Sequence, residues 1–134
     1  MALAKENGAK RAVMLAMSVP SHCSLMRPAG EKLKIQLDAT KLHMPSIPVL
    51  HNADVSSASN LEDLKDALVR QLSSPVRWVE TVQDMVRRQC DVILECGPGK
   101  VLQGLNKRID SGPMHLSLSD KGSFESALAE LNHS

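Results

Sequence analysis

Aromatic residues are almost absent from this chain. Its 134 residues include no tyrosine, one tryptophan (Trp78) and one phenylalanine (Phe124). Aliphatic side chains must therefore fill the interior, and the seven methionines can adapt to irregular gaps that rings would otherwise occupy. With a hydrophobic fraction of 43%, the chain has enough apolar material for the core of one domain.

Other absences exclude whole classes of protein. The apolar runs are far shorter than the roughly 20 residues that a membrane-spanning helix needs. The net charge is +1, from 16 basic and 15 acidic side chains, so no strong attraction to nucleic acid or to a membrane surface is predicted. The three cysteines form no Cys-x-x-Cys pair and the histidines lack the spacing of metal ligands, so neither a disulfide framework nor a metal site is predicted. Free thiols are typical of a cytoplasmic protein.

The hydrophobic pattern of the first half alternates between strand and helix. A short opening helix is closed by Gly8, and Asn60 is a suitable N-cap for a later helix. The predicted elements are a helix over 1–7, a strand over 11–17, a helix over 25–40, a strand over 47–50 and a helix over 61–72.

The same alternation continues in the second half. Ser74 and Pro75 are predicted to start a helix, and Ser123 is predicted to cap the last one. The elements are a helix to about residue 89, a buried strand over 91–96, a helix over 101–109, a strand over 115–119 and a helix over 124–131. Strands that alternate with helices predict an α/β fold with a mostly parallel sheet.

The turn Ser18–Cys23 carries the first candidate for chemistry. His22 follows a predicted strand and is flanked by a proline and small residues, which suits a general base. The alternative is a packed or solvated turn histidine. Cys96, at a strand end, is a candidate thiol nucleophile for such a base, and its alternative is a buried small hydrophobe.

The glycine turn Gly97–Lys100 lies between a strand and a helix, as phosphate-binding loops do. It fails the residue tests, because a Walker loop requires glycine where Leu94 stands and serine or threonine where Val101 stands. The alternative, a tight turn that starts a helix against the sheet, is favoured. Gln71, taken alone, is a solvated amide on a helix flank.

Combinations of residues along the chain resemble the C-terminal part of the bacterial malonyl-CoA:acyl carrier protein transacylases. Their order and spacing agree over nearly the whole chain. The matching stretches are Gly8–Ala12, Ser18–Met26, Ile47–Val49 with Asn52 and Asp54, Asp66–Leu72, Pro75–Trp78 and Glu95–Leu105.

The resemblance implies a fold, a reaction and two site residues. The family combines an α/β-hydrolase-like large subdomain with a small ferredoxin-like one, so residues 1–19 are expected to be a remnant of the small subdomain and residues 20–134 part of the large one. The reaction transfers a malonyl group from coenzyme A to the phosphopantetheine thiol of acyl carrier protein through an acyl-serine, without a further cofactor. By the resemblance, His22 is the catalytic base and Gln71 lines the active site, where its main-chain carbonyl orients His22.

The chain also departs from the family pattern. The Gly-His-Ser-x-Gly nucleophile elbow, which lies upstream of the histidine in the family, does not occur in this sequence. The arginine that pairs with the malonyl carboxylate is also upstream in the family. We therefore expect a C-terminal fragment that is inactive alone; the alternative is a non-catalytic split half that acts with an N-terminal partner chain. Bacterial-type motifs favour fatty acid synthesis over polyketide synthesis, while the preferred acyl group stays open.

Overall fold

A computed structural model describes residues 1–14 and 19–132. Within these residues, six helices and two strands follow one another, with a 3₁₀ turn before the second helix. Their bounds are α1 Ala2–Glu6, the 3₁₀ turn Ser24–Met26, α2 Arg27–Ala39, α3 Leu61–Arg70, α4 Trp78–Arg87, β1 Val92–Cys96, α5 Val101–Ile109, β2 Met114–Leu118 and α6 Lys121–Asn132.

The two strands form a parallel pair joined through α5. Val92 lies opposite Met114 and Cys96 opposite Leu118, with no break in the register. Helix α5 packs against both strands and α6 packs against β2. A strand, a crossover helix and a parallel strand make a βαβ unit, so the predicted α/β class is confirmed.

Side chains cap three of the helices. The Asn60 Oδ1 accepts a hydrogen bond from the Asp63 amide at 2.9 Å, as predicted for α3. Glu95 caps α5 from the neighbouring strand, because its carboxylate accepts from the Gln103 amide at 2.7 Å. At α6 the predicted cap is wrong: the Asp120 Oδ1 accepts from the Ser123 amide at 2.8 Å and the helix begins at Lys121.

Two other element predictions are also wrong. Residues 47–50 form no strand, since Pro48 has no amide to donate and the only bridge nearby joins His51 to Ser56 in the described part of the chain. Helix α4 begins at Trp78 instead of Pro75, because the Arg77 amide donates to the Asn52 carbonyl at 2.8 Å and so lies outside the helix. Residues 11–14 are neither helix nor strand, and the remainder of the strand predicted over 11–17 lies outside the described residues.

The core is small and aliphatic. Its buried apolar side chains come from five elements, α3, α4, β1, β2 and α6: Ala67, Val82, Ile93, Leu116 and Ala127. The strand predicted over 91–96 was expected to be buried. In β1 this holds for Ile93, whereas Leu94 is 40% exposed and Cys96 is exposed as well. Successive side chains of a strand point to opposite faces, so only one face of β1 is covered here.

Candidate functional site

His22 is held by two consecutive backbone carbonyls at the end of α3. Its Nδ1 lies 2.9 Å from the Gln71 carbonyl oxygen, and its amide donates to the Leu72 carbonyl at 3.0 Å. These contacts span 49 and 50 residues of sequence, so they join the turn after Pro20 to a distant helix end. The structure therefore brings together the two residues predicted for the site, through the main-chain carbonyl that the resemblance implied.

The carbonyl partner decides which ring nitrogen of His22 carries the proton. A carbonyl oxygen only accepts hydrogen bonds, so Nδ1 must be the donor. In the neutral ring this leaves Nε2 unprotonated, with its lone pair available to take a proton from another group. His22 is exposed, so a substrate group can approach Nε2. The arrangement suits a general base whose tautomer is fixed by a hydrogen bond at Nδ1. In many catalytic triads a carboxylate has this role.

The end of α3 explains why these carbonyls are available. The last carbonyls of a helix have no partner within the helix, and they carry the negative end of its dipole. Gln71 is the C-cap of α3, and its amide still donates to the Ala67 carbonyl at 3.1 Å. Its own carbonyl is thus fixed in direction and points out of the helix, towards the histidine.

The backbone of His22 adopts a conformation that non-glycine residues rarely use. Its φ is +60°, in the left-handed region, where histidine is one of the more tolerated residue types. The neighbouring turn is closed by hydrogen bonds from the Ser21 amide to the Val19 carbonyl at 2.9 Å and from the Cys23 thiol to the Pro20 carbonyl at 3.2 Å. Such a conformation persists only where surrounding contacts impose it, which the two contacts with α3 do.

The other candidates from the sequence lie apart from this site. Cys96, at the end of β1, has no hydrogen bond to His22 among the described residues. Gly97 and Gly99 have φ values of +145° and +107°, so the turn after β1 does require glycine, as expected for a tight turn. Within residues 1–14 and 19–132, no group of three or more histidine, cysteine or acidic side chains could hold a metal ion, and no helix is long and apolar enough to cross a membrane.

A charged cluster beside the histidine anchor was missed by sequence reasoning. The Arg70 guanidinium donates to Asp54 at 2.7 Å and to Asp66 at 2.5 Å. Hydrogen bonds to these two carboxylates raise the pKa of Arg70 above its ordinary value. The Asp66–Arg70 spacing of four residues predicts a helical ion pair, but nothing in the sequence indicates that Asp54 reaches the same arginine.

No protein-family model matches the chain. Among characterised sequences, it is similar to the malonyl CoA-acyl carrier protein transacylase of Haemophilus influenzae, with 51% identity over 123 residues. That alignment covers 92% of this chain and 39% of the relative. The chain therefore spans about two fifths of the length of the curated relatives it matches.

Solved structures give the same picture. The chain superposes on the malonyl-CoA:acyl carrier protein transacylase of Xanthomonas oryzae pv. oryzae with a TM-score of 0.90 and 41% identity, over 96% of this chain and 41% of that one. It also superposes, with a TM-score of 0.86 and 45% identity, on a malonyl-transacylase in complex with a type II polyketide synthase acyl-carrier protein. That match covers 94% of this chain and 41% of the transacylase.

Proposed function

Because this chain corresponds, over nearly its whole length, to a portion of the malonyl-CoA:acyl carrier protein transacylases, we propose that it supplies the general base of malonyl transfer. His22 is that base and the Gln71 carbonyl orients it. The observation that carries this proposal is the 2.9 Å contact between Nδ1 and the Gln71 carbonyl, which directs a free Nε2 lone pair outwards.

The reaction then proceeds in two acyl transfers. In the first, Nε2 of His22 takes the proton of a serine hydroxyl, the serine oxygen attacks the malonyl thioester, and coenzyme A leaves as a thiol after receiving that proton. In the second, Nε2 takes the proton of the phosphopantetheine thiol, its sulfur attacks the acyl-serine, and the serine oxygen regains the proton. The serine comes from residues outside this chain, since the sequence contains no Gly-His-Ser-x-Gly motif.

A chimera tests the role of His22. In it, this chain replaces the matching portion of the Haemophilus influenzae relative, and malonyl transfer from malonyl-CoA to holo acyl carrier protein is measured. We expect His22→Ala to lower kcat by about 10²–10⁴-fold, the usual contribution of a general base. The matched control is His43→Ala, which removes an exposed histidine of the described chain away from the His22 turn and is expected to change kcat by no more than about twofold. Equal rates for the parent chimera and His22→Ala would refute the proposal.

Acyl carrier protein is the proposed macromolecular partner of the complete enzyme, and malonyl-CoA its acyl donor. Support comes from the structural relative that is in complex with an acyl-carrier protein. The 134-residue chain on its own is expected to transfer no malonyl group, because a base without its serine has nothing to activate. Malonyl transfer by the isolated chain that disappears in His22→Ala would contradict this expectation.

A second candidate function is favoured by the open sheet. Within the described residues β1 pairs with β2 alone, so its other edge carries unpaired amides and carbonyls. Two-stranded sheets are marginal by themselves, and parallel sheets are normally covered on both faces. Leu94 on β1 is 40% exposed and Val101 at the start of α5 is 71% exposed. In this second candidate function, the chain is one half of a split transacylase, and the other half pairs with β1.

Mixing tests the split arrangement. The portion of the relative that this chain does not match is produced as a separate protein, and size exclusion reports whether the two form a one-to-one complex with transfer activity. A stable monomer of this chain that binds no second portion would contradict it. The DNA directly upstream separates the two cases, because an in-frame Gly-His-Ser-x-Gly stretch indicates one longer enzyme and a separate reading frame indicates a split one.

The proposal also covers the two subdomains of the chain and the cellular compartment in which the protein acts. Residues 1–19 form part of a ferredoxin-like small subdomain, and residues 20–134 belong to a hydrolase-like large subdomain, with His22 just inside the boundary. The protein acts in the cytoplasm, where the free thiols of Cys23, Cys90 and Cys96 stay reduced.

A further inference from the structure

One short loop contacts both ends of the segment whose carbonyls hold His22. Residues 71–77 connect α3 to α4 and include the carbonyls of Gln71 and Leu72 that hold the histidine. The loop is residues 51–56, closed by the amide of His51 donating to the Ser56 carbonyl at 3.0 Å. We call this loop the brace.

At the first end, the brace holds α3 through an ion pair. The Asp54 carboxylate accepts from Arg70 at 2.7 Å, and Arg70 is the last residue of α3, directly before Gln71. The Asp54 side chain is 24% exposed, whereas that of Asp66, the other partner of Arg70, is 61% exposed. Because Asp66 lies on α3 itself, the Asp54 pair is the one of these two ion pairs of Arg70 that joins the helix end to another part of the chain.

At the second end, the brace holds the start of α4. The Arg77 amide donates to the Asn52 carbonyl at 2.8 Å, and the Arg77 guanidinium lies 3.5 Å from the Asp54 carbonyl. Residues 52 and 54 of one short loop therefore contact residue 70, directly before the segment 71–77, and residue 77 at its end. Two attachment points restrict rotation of the segment between them, which a single contact would allow.

The brace itself is held in a strained shape. Val55 has a φ of +57°, a left-handed conformation that is a real outlier for a β-branched residue. Strain of this kind persists where neighbouring contacts impose it, often beside functional sites. The flanking contacts are those of Asp54 and of the His51–Ser56 bridge.

We propose that Asp54, acting through Arg70, is a positioning residue for His22. It fixes the end of α3 so that the Gln71 and Leu72 carbonyls stay aligned with the imidazole Nδ1 and the amide of His22. Asp54 does not touch the imidazole and has no part in proton transfer. The inference rests on the proposed function for its catalytic meaning, while its structural content concerns the geometry of His22 alone.

Nuclear magnetic resonance of the ¹⁵N-labelled 134-residue chain tests this placement. The readouts are the tautomer of His22, from long-range ring correlations, and the hydrogen exchange rate of its amide. We expect Asp54→Asn to lower the Nδ1-protonated fraction of His22 towards that of a histidine without a partner, because the carbonyls of Gln71 and Leu72 lose their alignment. The same substitution should speed exchange of the His22 amide by roughly threefold or more.

Asp66→Asn is the matched control, since it removes a carboxylate from the same arginine without cutting the link to the brace. It is expected to leave the tautomer populations of His22 as they are in the parent chain and the amide exchange rate within about twofold, because an exposed helical pair contributes little. The fluorescence of the single tryptophan, whose Nε1 donates to Asn106 at 2.8 Å, reports whether each variant is folded.

If Asp54→Asn does not fold, Arg70→Lys tests in its place whether the Asp54–Arg70 pair positions His22. A lysine keeps the charge but lacks the planar fork that reaches both carboxylates, so it should shift both readouts in the same direction as Asp54→Asn. The proposal is overturned if every folded variant without the Asp54–Arg70 pair has the same His22 tautomer and amide exchange rate as the parent chain. It is also overturned if Asp66→Asn shifts these two readouts as much as Asp54→Asn does. In the chimera, Asp54→Asn should lower kcat with KM unchanged, whereas full activity of His22→Ala would refute only the proposed function.

Discussion

The orientation of His22 depends on a main-chain atom of Gln71, so replacing that residue's side chain is expected to leave it intact. In Gln71→Ala the carbonyl stays in place, because the backbone at this C-cap is fixed by the hydrogen bond that the residue 71 amide donates to the Ala67 carbonyl. We therefore predict that the parent chain and Gln71→Ala have the same His22 tautomer, with the proton on Nδ1.

The size of the preference follows from the hydrogen bond. A neutral hydrogen bond contributes about 0.5–1.5 kcal/mol net, and an exposed one such as this lies near the lower end, at about 0.5–1 kcal/mol. Since about 1.4 kcal/mol is a factor of ten, the Nδ1-protonated form should gain roughly twofold to fivefold over its population in a histidine without a partner. His43, an exposed histidine with no side-chain hydrogen bond among the described residues, is the internal reference.

The measurement is a long-range ¹H–¹⁵N correlation spectrum of the two histidine rings at about pH 8.5. The expected result is a larger Nδ1-protonated fraction for His22 than for His43, in both proteins. An Nδ1-protonated fraction at His22 that is equal to or smaller than the fraction at His43 would refute the reasoning from the carbonyl contact. A loss of the preference in Gln71→Ala alone would assign the orientation to the side chain amide instead.

Three further predictions concern the scaffold. Asn60→Ala removes the cap of α3 and should lower the free energy of unfolding in urea by about 1 kcal/mol, while Asn60→Ser, which keeps an uncharged acceptor, should lower it less. Val82→Ala empties the one fully buried large side chain of the described core and should cost about 2 kcal/mol in the same assay; a loss below about 0.5 kcal/mol would mean that this core is loosely packed. Hydrogen bonds from the amide and hydroxyl of Ser123 hold the pKa of Asp120 below its ordinary value, so its stabilising contribution is present above that value and is lost as the pH falls through the lowered one. Urea unfolding between about pH 5 and pH 2 should thus show a smaller acid-induced loss for Asp120→Asn than for the parent chain, and identical curves would contradict this assignment.

The second half of the chain could be predicted closely because its signals are local. The helix at 101–109 was predicted with the bounds the structure has, and the two strands were placed to within one residue. Glycines at positions that need positive φ, apolar runs of strand length and a helical repeat all act within a few residues. The error at 75–77 arose where a long-range contact decides the conformation, as the Arg77–Asn52 hydrogen bond does.

The candidate site divides in the same way. His22 and Gln71 could be named from the sequence only through the resemblance to a family, since a turn histidine and a helix-flank glutamine carry no chemistry by themselves. Nothing in the residues predicts that Asp54 meets Arg70, because the pairing joins a loop to a helix end 16 residues away.

The sequence by itself determined the class of fold, the absence of a nucleophile elbow and the identity of the one histidine that precedes a helix in a proline turn. The tertiary structure alone decided that the imidazole faces the end of α3, and hence which of its nitrogens is free. The physical reason is that hydrophobic periodicity and turn chemistry act locally, whereas the direction of a ring nitrogen depends on which carbonyl the fold brings to within 2.9 Å of it.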